Sequence, residues 1–333
     1  MNIRSLLLLS AVAFLHSCTT DSGTECPGAP EPRERVTVEF EWIPDQPGAV
    51  RTKADVVALF KDRGILRDFF FNRGAYPNDS AFIRELHSRF TNPAFDTLAL
   101  EATRIFGDGS ALKKQFEDAF SNLKHHYPDF KAPKVMATIS GMETDLYLSD
   151  SLIIVGVDFY LGRGAKYRPD TYQYMMRRYQ PESVVPSVIL LTAISETFNK
   201  VNESDKTTLA DMVAYGKAYN FTRFIIPCIP DSTLFGYSPT EAAGALANEG
   251  VIWKKLVGEQ VLFETSHLVK QRYIGERPNV IEISDKCPGR IGMWVGMRMV
   301  DQYMKQTGKT LPETMAIADA QEIFRKSGYK PVR

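Results

Sequence analysis

Leu152-Ile153-Ile154-Val155-Gly156-Val157-Asp158-Phe159-Tyr160-Leu161-Gly162 is the stretch whose reading decides the fold. Its first six residues are almost wholly apolar and rich in β-branched side chains. A run that short, with a Gly inside and an Asp just after, reads as a strand buried on both faces. Upstream, Lys134 to Ile139 is a second strand candidate. Between the two, Gly141, Asp145, Ser149 and Asp150 supply loop chemistry around a short strand near Leu146–Leu148. Two or three antiparallel strands are the expectation here. A further strand is expected where Val36-Thr37-Val38-Glu39-Phe40-Glu41-Trp42 alternates apolar and polar residues.

Helical patterns surround this centre. Residues 54–72 place Val56, Val57, Leu59, Phe60, Leu66, Phe69 and Phe70 on one broad apolar face, and 81–90 and 111–125 read the same way. In the second half, 184–200, 209–224 and 289–304 carry helical spacing. Gly292 and Gly296 lie four apart, which lets a neighbouring helix backbone come close. Ser238-Pro239-Thr240-Glu241 is a helix start with a cap, a Pro at the first helical position and a Glu placed to close a capping box. Thr310-Leu311-Pro312-Glu313 repeats that spacing. There is no internal repeat, so residues 36–333 read as a single helix-rich α+β domain.

The start of the chain differs. Met1 to Arg4 is a short basic segment, and Ser5 to Leu15 is an apolar run of about ten residues, too short for a membrane-spanning helix. It ends in Leu15-His16-Ser17-Cys18, which resembles the lipobox of bacterial lipoproteins. Residues 1–17 are then a signal peptide, Cys18 is the lipidation site, and 18–35 form a Pro/Gly-rich tether. The whole chain has 333 residues with 40 Lys+Arg against 40 Asp+Glu. Loss of Arg4 with the signal leaves about −1. Such neutrality excludes the basic footprint of a nucleic-acid binder, and 44% hydrophobic residues exclude a disordered chain. Besides Cys18 there are three thiols, Cys26, Cys228 and Cys287. Three cannot all pair internally, so at least one is expected to be free and buried.

Catalytic motifs are harder to find. His87, His125, His126 and His267 stand in no H-E-x-x-H arrangement. His125 and His126 are adjacent and point about 100° apart on a helix, so they read as a solvated helix C-terminus rather than a shared metal site. Gly162-Arg163-Gly164 lacks the spacing of a dinucleotide loop, and there is no nucleophile elbow. Lys166 to Tyr179 concentrates four tyrosines, four basic residues and two methionines. It reads either as an exposed helix with snorkelling side chains or as a grip on an anionic or glycan ligand, with Tyr172, Arg177 and Tyr179 as the candidate residues. No cofactor or metal site emerges.

Three passages together resemble the gliding-motility lipoprotein GldB family. They are Val155-Gly156-Val157-Asp158-Phe159-Tyr160-Leu161-Gly162 with Lys166-Tyr167-Arg168-Pro169; Met176-Arg177-Arg178-Tyr179 with Pro181-Glu182 and Val184-Val185-Pro186; and Cys287-Pro288-Gly289-Arg290-Ile291-Gly292 with Trp294 and Gly296, closing on Asp319-Ala320-Gln321 and Lys326-Ser327-Gly328-Tyr329-Lys330-Pro331. The resemblance implies a lipid-anchored, non-catalytic envelope protein of the Bacteroidetes group. Such a protein is needed for gliding and linked to type IX secretion, and it acts through envelope protein partners. A fainter similarity is to zinc peptidases with a zincin-like fold. It implies a degenerate zincin-like scaffold in which Ser195, Glu196 and Asn199 stand at the H-E-x-x-H positions and Tyr215 near the third ligand. An alcohol and an amide do not replace two imidazoles on Zn²⁺, so that scaffold would be a pseudoenzyme. An envelope hydrolase and a peptide- or glycan-binding lipoprotein remain the alternatives, and the sequence leaves open which membrane holds the anchor.

Overall fold

The computed structural model describes Pro32 and residues 34–331; the signal peptide, Cys18 and most of the tether lie outside the described residues. The deciding stretch is β4 (Leu152–Gly156) of a four-stranded sheet, with β1 (Phe40–Trp42), β2 (Lys134–Thr138) and β3 (Leu146–Leu148), in the order β1-β2-β4-β3. Ile153, Ile154 and Val155 are all buried, as expected for a strand covered on both faces.

The sheet is not the antiparallel one expected. β1 runs parallel to β2 and β2 parallel to β4, with Lys134 opposite Leu152 and Thr138 opposite Gly156; only β3 is antiparallel to β4. Parallel neighbours need a return path between them. Between β2 and β4 that path is β3 itself, which crosses to the sheet edge and runs back. Between β1 and β2 the return is made by the helices of residues 45–126. β1 is also shorter than the alternation suggests. The Val36 and Val38 N–H groups donate to Ser121 Oγ (2.9 Å) and Glu117 Oε1 (3.2 Å) instead of to a strand.

The expected 54–72 helix is two pieces, Lys53–Leu59 with a Thr52/Asp55 capping box and a π-helical turn Leu66–Phe70, with Gly64 between them. Asp79–Phe90 and Ser110–His126 fall where the periodicity puts them. Pro93–Phe106 is an additional helix, capped by Asn92 with Pro93 in its first turn. In the second half, Val184–Ile194 stops well before residue 200, while Thr208–Ile225 and Ile291–Thr307 run close to the expected bounds. Both capping boxes form, at Ser238/Glu241 and at Thr310/Glu313.

The 208–225 and 291–307 helices make the most extensive helix pair. A side chain at Gly216 would run into the backbone of Gly296, and one at Gly296 into the Met212 carbonyl, so the two backbones touch at this crossing. Asn220 Nδ2 donates to Met297 O (2.7 Å) across the same contact. No helix of the described residues is long and apolar enough to cross a membrane.

Candidate functional site

Beyond β4 the chain is fixed by one carboxylate. Asp158 is fully buried and accepts the backbone N–H groups of Ser140, Gly141 and Met142 at 2.8–3.1 Å. Burial pushes its pKa up, while those bonds hold the ionised form. This clasp ties the loop after β2 to the short helical turn Val157–Tyr160, and from there the chain leaves the sheet at a fixed angle through Gly162.

The segment Lys166–Tyr179 is not the exposed helix that its composition suggested. It is an irregular strap with single 3-10 turns at Met175–Arg178 and, just beyond it, Pro181–Ser183, braced by Gln180 Nε2 donating to Met176 O (2.9 Å) and Tyr179 O (3.1 Å). The strap forms one wall of an open cleft of about 1300 Å³. The start of the Pro239–Ala247 helix and residues 276–279 form the opposite wall.

Charges meet across the cleft. Arg177 donates to Glu241, the residue that also closes the Ser238 capping box. Arg178 makes a two-pronged bond to Glu276 (2.9 and 2.6 Å), and Glu276 lies 3.4 Å from Arg290 Nε. Arg290 is nearly buried and donates to Tyr219 Oη (3.0 Å) and to the Phe235 carbonyl. Below it, Tyr219, Phe235 and Tyr237 stack in series, and Tyr237 Oη donates to Gly289 O (2.8 Å). Burial holds the Tyr237 phenol well above its usual range.

Of the residues singled out in the sequence, Tyr172 and Arg177 line this cleft. Tyr179 lies deeper, its ring against Phe159 and Tyr160, and it faces a smaller chamber with Asp145 and Ser187. Desolvation raises the pKa of both Asp145 and Tyr179.

Ser195, Glu196 and Asn199 follow the end of the 184–194 helix in a turn, so they share no helical face. Ser195 Oγ donates to Thr192 O (2.8 Å), Glu196 is exposed, and Asn199 is buried with Nδ2 on Ala214 O (3.0 Å). Tyr215 is half-buried on the 208–225 helix. Ser195 borders a separate, largely apolar recess beside Phe120, Tyr127 and Phe198. Among the described residues no group of three or more His, Cys, Asp or Glu is placed to hold a metal ion.

His125 and His126 do end a helix, but they are not simply solvated. His126 packs edge-on against Phe224 and beside His125, and burial lowers its pKa. Cys287 is a free, buried thiol pushed up to about 12 by burial, and Cys228 is in a disulfide.

Sequence reasoning missed Ser183, Glu241 and Glu276 as cleft residues and Asp145 and Arg290 as residues of the smaller chamber. The Glu241 signal was present as a capping box, but nothing in the spacing shows that a capping carboxylate also pairs with an arginine 64 positions away.

The fold and the cleft together define a helix-rich α+β protein built around a short mixed sheet, with a groove whose walls are bridged by ion pairs. Residues 34–331 match the family described as gliding motility protein GldB, and the chain belongs to that family. It is therefore a gliding-motility-associated protein, and the family's lipoprotein designation associates it with the cell envelope. No curated protein and no solved structure is significantly similar to it.

Proposed function

We propose that this chain is a lipid-anchored, non-catalytic component of the gliding and type IX secretion machinery, held to a membrane through Cys18 and acting by binding a partner protein in the strap-walled cleft. The observation that carries this reading is the cleft itself. Its walls come from segments distant in sequence and are joined by the Arg177–Glu241 and Arg178–Glu276 pairs, which leaves a wide polar groove with exposed arginine and tyrosine at its mouth. Stable anchoring by acyl chains on one cysteine needs more than one chain, and the neutral charge of the mature chain gives the membrane little else to hold.

Three experiments test this reading. A photo-crosslinking amino acid at position 172, in the protein in its own envelope, is expected to trap a defined envelope protein; no specific adduct would overturn the partner role. Cys18→Ala is expected to leave the fold intact and release the protein from membranes, and continued membrane fractionation would overturn the lipid anchor. Metal analysis of the purified protein is expected to find no stoichiometric transition metal, and a tightly bound one would overturn the non-catalytic reading in favour of a metallopeptidase-like hydrolase.

A further inference from the structure

Beside the cleft lies a second, smaller chamber of about 200 Å³, bordered by Leu146, Tyr160, Leu190 and Leu234 and by the charged Asp145, Arg178 and Arg290. Ser183 and Thr233 line both cavities, so they stand where the two meet. Ser183 is only 3% exposed, and its Oγ has no hydrogen-bond partner. A buried hydroxyl left unpaired costs about 1–3 kcal/mol. The Oγ itself is covered in the free protein, so a bond from an incoming polar group would come with a small turn of the Ser183 side chain at the junction of the two cavities.

The mouth has a different character. Arg163 and Arg168 line the cleft, are exposed and, among the described residues, are in no ion pair, so that with one free carboxylate, Glu182, the uncommitted charge is net positive; Arg177, Arg178 and Arg290 are already committed to Glu241 and Glu276. Tyr172 is 72% exposed and stacks on Tyr174 (5.8 Å, 15°), which leaves its other ring face open at the lip.

We infer that the cleft takes an extended acidic peptide segment of the partner protein, with carboxylates at Arg163 and Arg168 and one tyrosine side chain seated in the inner chamber against Ser183. This rests on the partner-binding reading above and names the chemistry of that partner. Guanidinium groups pair with carboxylates in a forked geometry that suits the mouth. A cavity of about 150 Å³ holds a benzene ring, so the chamber accommodates an aromatic side chain. Leu146, Leu190 and Leu234 give an aromatic ring apolar contact, while Asp145, Arg178 and Arg290 in the same lining offer polar partners to a group on its rim. Asp145, a carboxylate acceptor in the same lining, favours a phenol over a plain phenyl ring.

The test uses the lipidated protein in detergent and fluorescent peptides rich in Asp and Glu around a single central Tyr, Phe or Ala. The Tyr peptide is expected to bind at least about tenfold more tightly than the Ala peptide, equivalent to about 1.4 kcal/mol, and its binding should weaken as salt is raised. Arg163→Glu/Arg168→Glu is expected to weaken it at least about tenfold with unchanged thermal melting, because neither arginine holds the fold together. Ser183→Ala is expected to bring the Tyr-to-Phe preference close to one while leaving binding of the Phe peptide unchanged.

Equal binding of Lys-rich peptides, indifference to the central residue, or full affinity in the charge-reversed variant would each overturn the inference. So would displacement of the peptide by an acidic glycan at comparable concentration. Position 172 crosslinking separates this from the broader reading. Failed peptides with a surviving protein adduct would sink only the acidic-tyrosine chemistry, whereas loss of the adduct would sink the partner role itself.

Discussion

The central helix pair and the cleft wall both bring polar groups inside the protein, by opposite means. At the 208–225/291–307 crossing, two glycine backbones touch and buried side chains donate to backbone carbonyls. Asn220 reaches Met297 O, and Lys217 Nζ reaches the carbonyls of Lys200, Met315 and Ile317. At the cleft, an irregular strap is held by half-exposed ion pairs between side chains. Bonds to a packed backbone cannot shift without moving a helix. Exposed pairs contribute about 0–1 kcal/mol each and exchange readily with a ligand or with salt. The first region specifies the fold, and the second can rearrange without disturbing it.

The largest effect should come from breaking the helix contact. Gly296→Leu puts a side chain where the Met212 carbonyl stands, and neither backbone can retreat. Overpacking typically costs about 1–3 kcal/mol, and this site should fall at the upper end or beyond. Gly292→Leu meets softer neighbours, with Tyr273 O at 3.1 Å and the Ile274 side chain at 3.3 Å, and should cost less. Thermal melting ranks the two. Wild-type melting in both variants would erase the distinction between a rigid core and a yielding wall.

Next is Lys217, the charged group in the rigid region. It is 1% exposed, and desolvation lowers its pKa to about 8. Because the folded pKa lies below the unfolded one, the unfolded chain binds more protons between about 8 and 10.5. Stability supplied by this group should therefore rise with pH across that window, by up to about 3 kcal/mol at 1.36 kcal/mol per pKa unit. Lys217→Met should flatten that rise relative to wild type in paired pH-dependent denaturation curves. Parallel curves would mean that the three carbonyls stabilise the ammonium enough to cancel its desolvation.

How much of this could be read beforehand divides along the same line. The buried β4 run, the main helices of the second half and both capping boxes were legible, because periodicity and caps are local signals. The strand directions were not. Whether β2 and β4 run parallel depends on β3 supplying the return path, which no local pattern encodes. Composition alone left the strap between an exposed helix and a ligand grip, because the partners of its arginines, Glu241 and Glu276, are contributed from the far wall. Tyr172 and Arg177 could be picked out by composition alone. Ser183 could not, since its place depends on two cavities meeting.

The smallest effects on stability should come from the wall itself. Arg177 and Glu241 are 26% and 21% exposed at their side chains, so a double-mutant cycle of Arg177→Ala and Glu241→Ala should give a coupling of no more than about 1 kcal/mol. The single variants should still differ. Glu241 also accepts the Ser238 N–H at 2.8 Å, so its loss removes one of the two bonds of the capping box, worth about 0.5–1.5 kcal/mol, and leaves the Ser238 Oγ cap in place, whereas Arg177→Ala leaves both bonds intact. Tyr172→Ala, at an exposed lip, should change stability by less than about 0.5 kcal/mol. Denaturant unfolding measures all four. A coupling several times larger would place the wall in the same class as the helix crossing, and the cleft would then be a structural seam rather than a yielding surface.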